Sequence, residues 1–252
     1  MNDFPLAGIG AVSRLLETAG GDSFYARCPD GACGCQQSAE PRASVRRIAN
    51  SVSHGLGLVA ALAAVPFLIE TTFRHGDTAN KVGALIFSAT VVLLYFASCI
   101  YHAMPWQRVK SICRRLDHGA IFLMIAGTYT PFTLGVLHGP LGWTLFAVVW
   151  TLALAGVVLK AMNCLAHPVA SLASYIVLSS LILIAIGPLF ERVPTPGLLL
   201  IAAGGLAYVR GVGFCANDSR LRYGHFIWHL FVVSGTSCHF FAVMWYAAPG
   251  AA

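Results

Sequence analysis

Charge is scarce in this sequence. Asp, Glu, Lys and Arg make up 10% of its 252 residues, against about 25% in an ordinary soluble domain. A surface wetted all round by water is therefore excluded. Residues of the hydrophobic set reach 57%, which fits an outer surface that faces lipid, where charges are costly. Other features are missing too. No run alternates polar and apolar residues over ten positions, so a membrane β-barrel is not expected. The opening "MNDFPLAGIG" lacks a basic stretch before a long apolar core, so no cleavable signal peptide is expected. The eight cysteines do not form a disulfide framework, because Cys99, Cys164, Cys215 and Cys238 sit in or beside apolar segments and behave there as small apolar residues.

What remains divides the chain in two. Residues 1–44 mix Gly, Pro, Ser and charges and read as a polar cytosolic extension, expected to be partly disordered. Within it Cys28, Cys33 and Cys35 fall in "RCPDGACGCQQ". Three thiols so close can hold a metal with one further ligand, but the spacing matches no common zinc pattern, and a flexible polar tail is the simpler account. Residues 45–252 form the membrane domain. A helix needs about 20 apolar residues to cross the hydrocarbon core. Seven stretches qualify, near 52–73, 80–102, 116–136, 140–160, 168–189, 196–215 and 224–247. The segment "LHGP" separates the third from the fourth, and "ERVPTPG" the fifth from the sixth. The fold class is all-α, with seven transmembrane helices.

Basic residues set the orientation. With the N-terminus in the cytosol and the C-terminus outside, 13 of the 16 Lys and Arg lie on the inner side, as the positive-inside rule requires. The outer side keeps Arg74, Lys81 and Arg192. The net charge of +6 is then a property of cytosolic loops, and no nucleic-acid partner is expected. Location in the plasma (inner) membrane follows as the expectation.

This topology brings distant polar residues to one depth. The second helix ends inside at His102, with Ser98 one turn deeper on the same face. The third helix is expected to start inside with Asp117 and His118 in its first turn. The seventh starts inside with His225 and His229, in "RYGHFIWHLFVVSG". Three imidazoles can bind Zn²⁺ through neutral nitrogen and leave a fourth position for water. Two ligands at i and i+4 of one helix can share an ion. Asp117 could hold the water or take its proton, and Ser98 could orient a ligand or an oxyanion. An intramembrane aspartate costs about 2.5–3.5 kcal/mol on insertion scales, which a neighbouring cation offsets. Taken singly, each of these residues has a plainer role, as an interfacial histidine, a helix-dipole aspartate or a small packing serine. His54 lies on the same side and is expected to line the site or to cap the first helix with Asn50 and Ser51. His118 neighbours Asp117 but points about 100° away. His239 lies about 21 Å along the helix from His225 and is expected to be a packed, hydrogen-bonded histidine. Pro131 is expected to kink the third helix. Tyr129 and Thr130 beside it are weak catalytic candidates.

The stretches "NSVSHGLGL", "SCIYH", "LDHGAIFLMIAGTYTPF" and "HFIWH" resemble the haemolysin III group, bacterial members of the progestin and adiponectin receptor superfamily. The resemblance runs from about residue 46 to 247 and leaves the cysteine cluster outside. It implies zinc held by His102, His225 and His229, with Asp117 acting through water and Ser98 as the serine of a Ser-x-x-x-His motif. The wider superfamily includes alkaline ceramidases and is viewed as zinc-dependent membrane hydrolases. Four functions stay open: hydrolysis of an amide or ester in a membrane lipid, a lipid-state receptor with structural zinc, a cytolytic pore, and a bis-histidine haem protein. The oligomeric state is not fixed by the sequence.

Overall fold

The computed structural model describes residues 39–248. Cys28, Cys33 and Cys35 lie outside the described residues, as does most of the polar extension. Seven helical spans are long and apolar enough to cross a membrane: Val45–His75, Thr78–Ala103, Gln107–Leu137, Gly139–Ala161, Pro168–Arg192, Thr195–Ala216 and Gly224–Tyr246. The all-α, seven-helix expectation holds.

Several boundaries are corrected. The first helix begins at Ala39, so His54 sits well inside it and is not part of an N-terminal cap. The third begins at Gln107, nine residues before the expected 116. Asp117 therefore lies almost three turns in, not in the first turn. The early turns, "QRVKSICRR", carry four basic residues. A hydropathy window sees the part that crosses oil, whereas helix hydrogen bonding continues past it. The fifth span is also not one continuous α-helix. It runs as Pro168–Ser180, a 3₁₀ segment Leu181–Ala185 and a short helix Ile186–Arg192.

The third span is the bundle's centre. Its apolar window is 72% buried, against 11% for the sixth. It packs on the second and fourth spans, and the seventh packs on the sixth. At Pro131 its winding changes to a π-helix, Pro131–Leu137. Proline has no N–H and its ring crowds the carbonyl four residues back, so the ladder re-forms at wider spacing. Thr130 and Thr133 hydroxyls bond back to the carbonyls of Ala126 (2.8 Å) and Tyr129 (3.1 Å), which keeps backbone groups paired away from water. Tyr129 has a related structural task. Its hydroxyl donates to Ser179 O (2.6 Å) and accepts from Ile182 N–H (2.7 Å). It therefore clamps the fifth span where the α-helix gives way to 3₁₀ turns.

The turn at "LHGP" is tight. His138 and Gly139 both take positive φ, 26° and 65°. At "ERVPTPG" the break falls at Val193–Pro194, and Arg192 donates to Val136 O (3.2 Å) and to Leu137 O, covering the open end of the π-helix. The second span starts with a reciprocal cap between Asp77 and Asn80, and the Asn80 amide reaches Ala247 O at 2.7 Å. These ties join the fifth span to the third, and the second span to the residue that follows the seventh.

Candidate metal centre

His102, His225 and His229 come together. One ligand nitrogen from each lies within 4.8 Å of the others. The ring centroids are 5.0 Å apart for His102–His225, 4.9 Å for His102–His229 and 4.7 Å for His225–His229. The last pair meets because residues four apart stack on one helix face. His102 joins them from the end of the second span. His102 and His229 are buried and His225 is half-buried.

Hydrogen bonding fixes the state of His229. Its Nδ1 lies 3.1 Å from Asn50 O, and a carbonyl can only accept. Nδ1 therefore carries the ring proton. Ser53 agrees: its hydroxyl donates to Asn50 O at 2.8 Å, so its lone pairs face His229 Nδ1, 2.8 Å away. The remaining lone pair of His229 is on Nε2. An imidazole tied through one nitrogen to a carbonyl or hydroxyl, with the other left free, is the usual preparation of a metal ligand. His102 supplies a second sign, since its buried Nε2 has no hydrogen-bond partner among the described residues. Unpaired buried polar atoms are uncommon, and a cation between the rings would satisfy this one. The residues present therefore fit a small, nitrogen-preferring ion such as Zn²⁺. The geometry favours a small ion over a haem, because the His102 and His225 rings, with centroids only 5.0 Å apart, do not stand apart on either side of a gap as two axial haem ligands would.

Asp117 and Ser98 are both buried. They come from adjacent spans, the third and the second. His118 is not in the histidine cluster. Its ring lies 6.5 Å from Tyr101, and its backbone carbonyl accepts from Tyr175 at 2.9 Å.

His54 does line the site. Its ring stacks on His229 with centroids 3.6 Å apart and planes 16° apart. Tyr95 meets its edge at 5.2 Å. Both its ring nitrogens are buried without a hydrogen-bond partner. His239 is packed as expected, against Tyr208 at 5.5 Å and the backbone of Gly204. Its Nδ1, however, lacks a partner.

Sequence reasoning did not single out Ser53 or the Asn50 carbonyl as supports for His229. Ser53 sits beside His54 within "NSVSH", three residues after Asn50, and that spacing on one face was the available signal. A backbone carbonyl leaves no signal at all.

The comparisons agree with this architecture. A family profile described as Haemolysin-III related matches residues 44–240. A protein named Hemolysin-3 from Bacillus cereus is 40% identical over 204 residues, covering 81% of this chain and 93% of that protein. A Hemolysin-3 homolog from Bacillus subtilis (strain 168) is 38% identical over 199 residues, covering 79% and 93%. More distantly, the Monocyte to macrophage differentiation factor of Homo sapiens is 26% identical over 190 residues, covering 72% and 79%. By the extent of the profile match and by the identity to its Bacillus relatives, this chain belongs to the haemolysin-III family.

Proposed function

We propose that this chain is a zinc-dependent membrane hydrolase that cleaves an amide or ester bond in a membrane lipid, and so serves membrane-lipid homeostasis. The observation that carries the reading is the histidine cluster, with His229 held as the Nδ1–H tautomer and His102 Nε2 unpaired inside a membrane domain. His102, His225 and His229 would hold the ion. Zinc in such a site supplies Lewis-acid polarisation of a carbonyl and of the attacking water. Asp117 would take the water's proton, and Ser98, from the adjacent span, would be an auxiliary donor. Burial inside the bundle keeps bulk water out, which strengthens each of these interactions.

The orientation belongs to this proposal. With the N-terminus inside, the metal centre lies near the cytoplasmic face of the plasma membrane, where most Lys and Arg gather.

The test is metal content followed by lipid turnover. Purified protein is expected to hold about one zinc per chain, and His229→Ala to lose most of it. Full zinc in a variant lacking His102, His225 and His229 together would overturn the assignment. Labelled lipids incubated with the zinc-loaded protein should yield a free acyl product. The names of the Bacillus relatives favour a second reading, a cytolytic pore. Dye release from liposomes by wild type and by the zinc-free variants alike would support it. Zinc without turnover or dye release would point to a receptor with structural zinc.

A further inference from the structure

The basic residues at one end of the bundle are not evenly spread. Arg46 on the first helix and Arg220 and Arg222 before the seventh line one cavity of about 500 Å³, with Tyr223. This volume lies in the usual range for a small-molecule site. Arg46 is fixed across the bundle: Nε donates to Arg222 O at 2.6 Å and Nη2 to Leu221 O at 3.2 Å. The Arg222 guanidinium lies 5.4 Å over the Tyr223 ring. Among the described residues the one ion pair within 4 Å is Arg74–Glu70, so no described carboxylate is salt-bridged to these arginines.

A second, narrower cavity of about 110 Å³ adjoins the first and shares Arg46 and Tyr223 with it. It adds Arg47, Asn50, Asp218 and His225. Asp218 is engaged here, accepting the backbone N–H of His225 at 2.8 Å. The two adjoining cavities thus share Arg46 with a lining that includes Arg47, a candidate metal ligand and the residue whose carbonyl orients His229.

We infer that Arg46, Arg47, Arg220 and Arg222 form a phosphate-binding vestibule at the mouth of the histidine cluster, which seats the phosphate headgroup of an anionic phospholipid. Guanidinium forks match phosphate oxygens in pairs, and arginines at a membrane surface meet such headgroups first. The chamber is large enough for a headgroup, and the smaller cavity that shares Arg46 and Tyr223 with it is also lined by the candidate ligand His225. As the substrate class of the proposed hydrolase, the inference rests on that reading; as a binding site it is measured without turnover.

The experiment is direct binding to the zinc-loaded full chain in detergent. The probes are short-chain phosphatidylglycerol, phosphatidylcholine and inorganic phosphate. Phosphatidylglycerol is expected to bind at least about tenfold more tightly than phosphatidylcholine. Arg220→Gln/Arg222→Gln removes two exposed side chains and leaves the Arg46 ties in place. It should weaken phosphatidylglycerol binding about tenfold or more with zinc content unchanged. Arg108→Gln/Lys110→Gln removes the same charge from the third helix and should leave binding as in wild type. Equal binding of the two lipids, or equal loss in both double variants, overturns the vestibule. Inorganic phosphate binding as tightly as the lipid overturns the headgroup assignment in favour of a soluble anion. Selective binding with no hydrolysis of any lipid upholds the vestibule and removes the hydrolase reading instead.

Discussion

In the proposed site Asp117 and His225 would fail in different ways. His225→Ala removes a bond to the ion, so metal content and activity should fall together. Asp117→Asn keeps the shape of the side chain but cannot accept a proton. It should retain most of its zinc and lose about 10²–10⁴-fold in lipid turnover. Full turnover in Asp117→Asn would remove Asp117 from the chemistry. Ser53 gives a finer test. Ser53→Ala leaves all three histidines in place but removes the hydroxyl 2.8 Å from His229 Nδ1. Losing such an outer hydrogen bond typically costs about 10–100-fold in metal affinity. Titration with a competing chelator should show that drop, and wild-type affinity would mean that Asn50 O alone holds the ring.

At the scale of elements, the third and fourth spans show how far packing depends on the smallest side chain. Gly142 approaches the Thr133 carbonyl so closely that an added Cβ would collide with it. Thr133 is in the π-helix, and its backbone cannot step aside without disturbing that winding. Gly142→Ala should therefore lower stability by about 1–3 kcal/mol, read as a lower Tm in detergent. Gly205→Ala, in the sixth span with nothing within 4 Å of the new Cβ, should be neutral or slightly stabilising. Equal effects would show that the close approach is not sustained. Apolar length alone located all seven spans to within a few residues at most ends. It missed the basic stretch Gln107–Arg115 at the start of the third span because hydropathy marks the oil, not the helix. It also missed the 3₁₀ break in the fifth span, which Tyr129 supports from another helix.

For the molecule as a whole, orientation decides what the cluster can meet. The proposed arrangement expects a tag after Ala252 to be labelled from outside intact cells. A cysteine-reactive probe restricted to the outside should not reach Cys164, which is exposed in the loop after the fourth span. The opposite pattern would put the histidines at the outer leaflet and expose the arginine vestibule to the wrong lipid headgroups. The first helix makes the same point from the side. Leu56, Val59, Leu62 and Phe67 are each more than half exposed, an apolar surface suited to acyl chains and unsuited to water.

The sequence by itself determined the class, the seven spans and the family. Each rests on composition or on residues read locally: apolar runs long enough to cross oil, turns marked by Gly and Pro, and motifs that stand intact in the chain. It also indicated which histidines to watch, because helix ends place His102, His225 and His229 at a common depth. Only the tertiary structure decided that their nitrogens converge within 4.8 Å, that His54 stacks on His229 rather than capping a helix, and that Asn50 O holds the Nδ1 proton. Those facts depend on the rotation of each helix about its axis and on backbone atoms of a span about 180 residues away. Rotation is set by the packing of many side chains at once, and a carbonyl oxygen is the same in every residue, so neither can be read from the order of residues along the chain.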